Sequence, residues 1–236
     1  MSQAPADPRW PKLLSLAVHE FRTPITVVAG YIRMLLKDRA GPITDQQRRL
    51  LEEAEKSCGR LSALVAEMSD LSNLEGGTAA VNRSTVDMRT LVAEAIAALP
   101  AMVDREVTVD LLPGSDNVSL PGDATRLRAA ITSLMIALRR ELVTSDRLVV
   151  RVDSTTVDGV PAVAIALGDE EQLPGIAAAE GSTLPRFDEW RGGSGLSLAV
   201  ARRVIGQHGG TLHSPPGEGK AGALVLMPVQ VPEIQS

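Results

Sequence analysis

The feature that most constrains the fold is an apolar pattern in the first part of the chain that repeats at alternating steps of four and three residues. Its members are Leu14, Val18, Phe21, Ile25, Val28, Ile32 and Leu35. This spacing is typical of the seam along which α-helices pack in coiled coils and helical bundles. We therefore predict a long helix over residues 10–38.

A second segment with similar periodicity predicts a partner for this helix. Residues 45–75 carry apolar side chains at steps of three and four, and Thr44 and Gln47 have the spacing of a capping box at the start of a helix. The connection RAGPIT is short, so the two helices should form a hairpin. One hairpin leaves an apolar stripe exposed, and we therefore expect two copies of the chain to form a dimeric four-helix bundle.

The rest of the chain mixes helical and strand patterns. After the linker EGGTAAVNRS, we predict helices at 88–99, 124–142 and 195–207 and strands in EVTVDLL, RLVVRVDS, AVAIAL and GALVLMPV. Helices gathered against a mixed sheet form a two-layer α/β sandwich. We therefore expect two domains, one of paired helices at 10–76 and one of α/β type at 80–231.

Composition excludes several classes of function. A formal net charge of -5 and an aromatic content of 2% both argue against a nucleic-acid-binding protein. No apolar run approaches the ~18 residues of a membrane span, and MSQAPADPRW lacks the features of a signal peptide, so we expect a cytoplasmic protein with no membrane segment. Cys58 is the only cysteine, and neither His208 nor His213 has metal-ligand spacing to a partner, so we predict no metal-ligating residues. We interpret His208 as a helix-end residue and His213 as an ordinary surface residue.

His19 lies just off the apolar seam, beside Glu20 and shortly before Pro24. Pro24 has no backbone N–H, so the carbonyl of Glu20 loses its helical partner and we expect the helix to bend. A neutral imidazole can act as a nucleophile, and a neighbouring carboxylate can accept a proton or orient the ring. Thr23 lies one turn beyond His19 on the same face, where it can hold a water molecule. Because a lone histidine on a helix is usually a surface residue, the motif as a whole must support the chemistry.

The stretch HEFRTP, together with the seam, the proline and the following hairpin, resembles the phosphoacceptor box of two-component sensor histidine kinases. The resemblance implies that residues 10–76 form a dimerisation and histidine phosphotransfer domain. It implies that His19 is the phosphoacceptor, that Glu20 is its acid/base neighbour, and that Thr23 positions water to dephosphorylate a bound response regulator. The partners it implies are a second copy of the chain and a response regulator receiver domain.

Residues 80–231 resemble the ATP-binding domain of the same family. The helix GDATRLRAAITSLMIAL begins with the family's Asp-x-x-Arg-Leu, and Asp169 falls where the family has its adenine-binding aspartate. Gly193, Gly195 and Leu196 fall in the family's glycine-rich box, at a helix N-terminus that favours phosphate. The resemblance therefore implies ATP and Mg²⁺ as cofactors and these four residues as cofactor-binding.

The α/β half also departs from the family at five positions, one of which is Ser197 in place of a family glycine. The two family asparagines fall on Ser133 and Ala137, and the glycines after the adenine aspartate fall on Glu171 and Leu173. A methyl group offers no oxygen to Mg²⁺, and a carboxylate repels a phosphate tail. We therefore expect a degenerate ATP-binding domain in which the use of ATP and Mg²⁺ is impaired.

The sequence thus favours a histidine-kinase-like phosphotransferase that exchanges phosphate between His19 and an aspartate of a response regulator, with regulator phosphatase action as a related activity. Two alternatives stay open. One is an active ATP-dependent sensor kinase that tolerates the substitutions, for example with Ser133 as a metal ligand. The other is a non-catalytic dimeric adaptor that binds a response regulator or another kinase.

Overall fold

The computed structural model describes residues 9–77, 82–102, 105–143, 145–190, 195–215 and 221–229. These residues belong to two compact units, Met1–Ala79 and Ala80–Ser236. The first unit is a pair of long helices and the second is a mixed sheet with helices, as the fold prediction required. In the described ranges, no helix has both the length and the apolar character that crossing a membrane demands.

The helical unit consists of α1 (Trp10–Leu36) and α2 (Asp45–Glu75), which pack against each other. Helix α1 continues through Pro24 without a break. The capping box at the start of α2 is present, because the Thr44 N–H donates to Gln47 Oε1 at 2.8 Å and the Gln47 N–H donates to Thr44 Oγ1 at 3.3 Å. Local sequence therefore sets where the second helix begins.

The turn between the helices is held by Arg48, one turn into α2. Its Nη1 donates to the Leu36 carbonyl at 2.8 Å, and its Nη2 pairs with Asp38 Oδ2 at 3.1 Å. Asp38 takes a positive φ of 54°, which ends α1 two residues before the predicted boundary. The arginine thus satisfies a carbonyl at the end of α1 that has no partner within the helix.

The predicted seam of α1 divides between two faces of the helix. Leu14, Val18 and Ile32 are buried within the hairpin, whereas the side chains of Phe21 and Val28 are 52% and 49% exposed. A four-and-three repeat does not distinguish residues that pack within one hairpin from residues on the adjacent face, so only the structure separates the two groups. The exposed face also carries other large apolar side chains, namely Leu13, Leu16, Val27, Tyr31 and Met34.

The α/β unit contains four helices and seven strands among its described residues. The helices are α3 (Met88–Ala97), α4 (Ala124–Glu141), α5 (Leu173–Ala178) and α6 (Ser197–Gln207). The strands are β1 (Ser84–Asp87), β2 (Thr108–Leu111), β3 (Ser119–Gly122), β4 (Arg147–Val157), β5 (Val160–Gly168), β6 (Thr211–His213) and β7 (Ala223–Pro228). Helix α5 and strands β1, β3 and β6 were not predicted, because each has only three to six residues.

Five strands form one mixed sheet in the order β2-β4-β5-β7-β6. Strand β2 pairs parallel with β4, and the other neighbours pair antiparallel. A two-residue turn joins β4 to β5 through Asp158 and Gly159, whose φ angles of 51° and 80° suit the turn type that matches strand twist. Strands β1 and β3 form a separate antiparallel ribbon.

Strand β5 is buried on both faces. Val163, Ile165 and Leu167 alternate with Ala164 and Ala166, and all five side chains are buried. The two alanines share a core cluster with Leu173 and Ile176 of α5. Because this short helix covers the second face of the sheet, the segment between β5 and the next predicted helix is partly helical.

His213 corrects another prediction. It lies on β6 and is partly buried, not an ordinary surface residue. A Cβ atom at Gly181 would lie 3.3 Å from its Nε2, so the chain after α5 passes directly over the ring. Burial lowers the pKa of His213.

Candidate functional site

His19 and Glu20 form an exposed acid–base pair on α1. The side chains are 81% and 70% exposed, and His19 Nδ1 lies 3.5 Å from Glu20 Oε1. A carboxylate beside Nδ1 favours the tautomer that carries its proton there, which leaves the lone pair on Nε2. The geometry therefore presents a nucleophilic nitrogen to solvent.

Thr23 lies on the same exposed stretch of α1, one helical turn after His19. The stretch continues to Thr26, whose hydroxyl donates to the Arg22 carbonyl at 2.8 Å. Exposed Leu16, three residues before His19, is an apolar neighbour on this stretch. The structure thus brings the three predicted residues of the helical unit together on an open surface with an apolar neighbour.

Asp169 lies at the end of β5, where the sequence predicts an adenine-binding carboxylate, but it makes local bonds. It is buried, and its Oδ1 accepts a hydrogen bond from the Gln172 N–H at 2.7 Å. Its Oδ2 accepts a second one from Gln172 Nε2 at 3.0 Å. Both carboxylate oxygens therefore stabilise the turn that leads into α5.

The segment after Asp169, where the family has two glycines, leads directly into an apolar helix. Helix α5 begins at Leu173, so only residues 169–172 separate it from β5. Leu173 and Ile176 are 4% and 2% exposed. A Cβ atom at Gly168 or Gly222 would lie 2.9 or 2.8 Å from Ile176 Cδ1, so both glycines let the helix approach the sheet.

The residues at the expected magnesium position do not fit that ion. Ala137 is completely buried on α4, and Ser133 is partly buried one turn earlier. In the part of the chain that the structure describes, no group of three or more His, Cys, Asp or Glu side chains is arranged to hold a metal ion. Mg²⁺ requires oxygen ligands with nearly octahedral geometry. We therefore derive no reaction step through a magnesium–nucleotide complex.

The glycine-rich box lies at the start of α6. Gly195 has a φ of 62°, a conformation that favours glycine, and Leu196 occupies the N-cap position of the helix. Gly193, the third residue predicted here, lies outside the described residues. Gly195 and Leu196 therefore set the backbone conformation at the start of α6.

The sequence interpretation missed a buried network around His208. Its Nδ1 donates to the Val204 carbonyl at 2.7 Å, and its Nε2 accepts from the Asp123 N–H at 3.0 Å. Asp123 in turn accepts from the N–H groups of Arg126 and Asn82, at 3.1 and 3.2 Å. Burial lowers the pKa of His208, so the neutral ring links the end of α6 to the start of α4.

Comparison with known proteins supports the helical motif directly. Residues 12–77 match the family model of the His Kinase A (phospho-acceptor) domain. The chain is 30% identical over 223 residues to the sensor-like histidine kinase SenX3 of Mycobacterium tuberculosis strain H37Rv, an alignment that covers 88% of this chain and 51% of that protein. It is 25% identical over 240 residues to the cell-division control histidine kinase PdhS of Brucella suis biovar 1, covering 93% of this chain and 23% of PdhS. The chain thus spans 23% of the length of PdhS and 51% of that of SenX3.

The crystal structure of full-length ShkA in complex with AMPPNP shares the fold. Its TM-score is 0.63 at 21% sequence identity, and the match covers 94% of this chain and 47% of ShkA. The fold likeness therefore extends over both units.

Proposed function

We propose that the chain is a member of the sensor histidine kinase family and that it exchanges a phosphoryl group between His19 and an aspartate of a response regulator. The observation that carries the proposal is the exposed His19 with Glu20 Oε1 3.5 Å from its Nδ1. A partner must reach the ring for transfer to occur, and the 81% exposure of His19 permits that approach.

In the proposed step, the Nε2 lone pair of His19 attacks the phosphorus of an aspartyl phosphate on the receiver domain. The N–P bond forms as the bond from phosphorus to the aspartate oxygen breaks, and the carboxylate leaves with that electron pair. Glu20 stabilises the positive charge that develops on the ring through its contact with Nδ1. The reverse step returns the phosphoryl group to the aspartate, with the same atoms in the same places.

Thr23 supports a related phosphatase action. Its hydroxyl lies one turn from His19 on the exposed stretch of α1. A hydroxyl at this spacing can orient a water molecule toward the phosphorus of a bound aspartyl phosphate. We therefore assign Thr23 to hydrolysis and not to transfer.

ATP is not part of the proposed reaction. Phosphoryl transfer from ATP depends on positioning and on a metal that neutralises charge. Buried Ala137 offers no oxygen ligand at the family's metal position. The phosphoryl group is therefore proposed to enter from a phosphorylated regulator.

The proposed partner within the assembly is a second copy of the chain. The exposed face of α1 carries large apolar side chains, among them Phe21, Val28 and Tyr31. Burial of such a face is favourable in proportion to the apolar area removed from water. Pairing of two hairpins into a four-helix bundle would supply that burial.

Incubation with labelled receiver domains tests this function. The receivers encoded in the same genome are phosphorylated with labelled acetyl phosphate and offered to the full chain and to its His19→Ala variant. We expect at least one receiver to transfer acid-labile, base-stable label to the parent and none to label His19→Ala. Receiver binding without transfer in either protein would instead support the adaptor function.

A further inference from the structure

Asn82 and Arg83, near the end of the predicted linker, are held on the α/β unit by two hydrogen bonds. The Asn82 N–H donates to Asp123 Oδ2 at 3.2 Å, and Arg83 Nη2 donates to the Gln207 carbonyl at 3.3 Å. Asp123 is the N-cap residue of α4, and Gln207 is the last residue of α6. The linker is therefore anchored at the start of one helix and at the end of another.

His208 joins these two anchor points. It follows Gln207 directly, and its Nε2 accepts a hydrogen bond from the Asp123 N–H at 3.0 Å. Its Nδ1 donates to the Val204 carbonyl at 2.7 Å, so both ring nitrogens are engaged. The residue is 1% exposed, and a Cβ atom at Gly122 would lie 3.3 Å from its Cδ2. Strand β3 therefore leaves the ring little room to turn toward other partners.

This arrangement of hydrogen bonds requires a neutral ring. Nδ1 carries the proton that the Val204 carbonyl accepts, and Nε2 must keep its lone pair to accept from the Asp123 N–H. A second proton on Nε2 would point at the Asp123 N–H, so two donors would face each other. The protonated ring would instead attract the Asp123 carboxylate, whose Oδ2 accepts the bond from Asn82.

Burial and three charged groups decide how readily the ring is protonated. Burial has the largest effect and lowers the pKa of His208. Arg83 of the linker and Arg126 of α4 also disfavour a positive ring, whereas the Asp123 carboxylate favours it. Burial raises the pKa of Asp123, but the N–H groups of Arg126 and Asn82 outweigh burial and lower it overall. Asp123 therefore stays ionised in the mildly acidic range in which a released histidine is protonated.

From this geometry we propose that His208 and Asp123 form an acid-sensitive clamp on the linker, and that protonation of His208 releases Asn82 and Arg83 from the α/β unit. Release increases as the pH falls below 6.5, because the released ring binds a proton more readily than the clamped ring. The proposal is independent of the phosphotransfer function, since it uses no residue of α1.

The test follows hydrogen exchange at single amides of the ¹⁵N-labelled full chain at about pH 8 and about pH 5. Protection of the Asn82 amide, relative to the unfolded chain, should be about tenfold lower at the acidic pH. The ring carbons of His208 should titrate with the same midpoint as this change. At about pH 5, the amide of Ile165 in β5 should stay at least about a hundredfold better protected than that of Asn82, since local release requires less free energy than unfolding.

Two variants separate His208 from the other buried histidine. His208→Gln removes the titrating ring, so protection of Asn82 should change less than about twofold between the two pH values. His213→Gln is the matched control, because burial lowers the pKa of His213 as well, and it should keep the tenfold dependence of the parent. The ring-carbon titration of the parent decides the matter if His208→Gln does not fold.

Three results would overturn the proposal. One is protection of Asn82 that does not depend on pH in the parent, and another is a midpoint different from that of the His208 ring. The third is equal protection of Asn82 and Ile165 at about pH 5, which would show unfolding of the whole unit and not release of the linker.

Discussion

In the proposed transfer, Glu20 is the residue on which the chemistry of His19 depends most closely. Its carboxylate lies 3.5 Å from Nδ1, where it would stabilise the ring as positive charge develops. Glu20→Gln should therefore lower the rate of transfer from a phosphorylated receiver by about 10²-fold, a typical contribution of a positioned acid–base group. Rapid-quench measurement of labelled His19 checks this, with exposed Glu52→Gln as the control that should leave the rate unchanged. Equal rates in the parent and Glu20→Gln would contradict the assigned role.

His208 gives the α/β unit a defined dependence on pH. Its pKa is lowered from 6.5 in the folded state, chiefly by burial, so folding favours the neutral ring. Its contribution to stability is therefore present above pH 6.5 and is lost as the pH falls below that value. His213 has the same direction of shift and adds to the loss over the same range.

Urea unfolding from about pH 8 to about pH 5 measures this dependence. The free energy of unfolding of the parent should fall toward about pH 5. It should fall less in His208→Gln, because His213 is then the only described histidine whose pKa is lowered by burial. An equally steep loss in His208→Gln would show that protonation of His208 does not destabilise the fold.

Single residues also show what the sequence could not reveal. Arg139, near the end of a predicted helix, has the ordinary pattern of a cation that favours a helix C-terminus. Its hydrogen bonds are to Val107 and Pro100, and both acceptors lie more than thirty residues away in the sequence. Segments this distant also bury its side chain. The hydrogen bonds from Gln172 to Asp169 could not be predicted either, because no sequence pattern marks Gln172 as their donor.

At the scale of elements, the long helices and the capping box at Thr44 followed from sequence because periodicity and caps are local signals. Helix α5 did not, because its six residues, LPGIAA, include proline and glycine and are too few for a helical period. It forms because Leu173 and Ile176 reach a sheet face of small residues. Packing of α5 on the sheet therefore determines the structure of the segment after Asp169, which the sequence motif did not predict.

Ile176 is the residue that should hold α5 on the sheet. Ile176→Ala is expected to destabilise the α/β unit by about 2–4 kcal/mol, the usual cost of such a truncation in a core. Urea unfolding followed by circular dichroism gives the value. Exposed Val143→Ala is the control, and it should change stability by less than about 0.5 kcal/mol. A similarly small effect for Ile176→Ala would show that α5 does not anchor the segment.

The short connection between Asp169 and α5, together with the buried Ala137, predicts how the affinity for nucleotide depends on Mg²⁺. Any ATP that binds the chain should do so with nearly the same affinity in Mg²⁺ and in a chelator, because buried Ala137 offers the ion no oxygen where the family has its metal-binding asparagine. Isothermal titration under both conditions measures this. An affinity that rises strongly with Mg²⁺ would support the active kinase alternative.

At the scale of the whole molecule, the exposed face of α1 accounts for the proposed dimer. The sequence predicted an apolar stripe, but periodicity alone did not assign Phe21 and Val28 to the open face. Val28→Glu should convert a dimer into a monomer, since it puts a charge into the proposed interface. Sedimentation velocity distinguishes the two, with exposed Lys12→Glu as the control on the same helix. If Val28→Glu remains a dimer, the dimer interface does not lie on the exposed face of α1.

In the proposed reaction, the phosphoryl group on His19 comes from a regulator and not from ATP. A labelling experiment compares two donors with the full chain and with His19→Ala, namely γ-labelled ATP with Mg²⁺ and a labelled phosphoreceiver. We expect acid-labile label on the parent from the receiver alone, and no label on His19→Ala from either donor. Label from ATP that requires His19 would instead identify the chain as an ATP-dependent kinase.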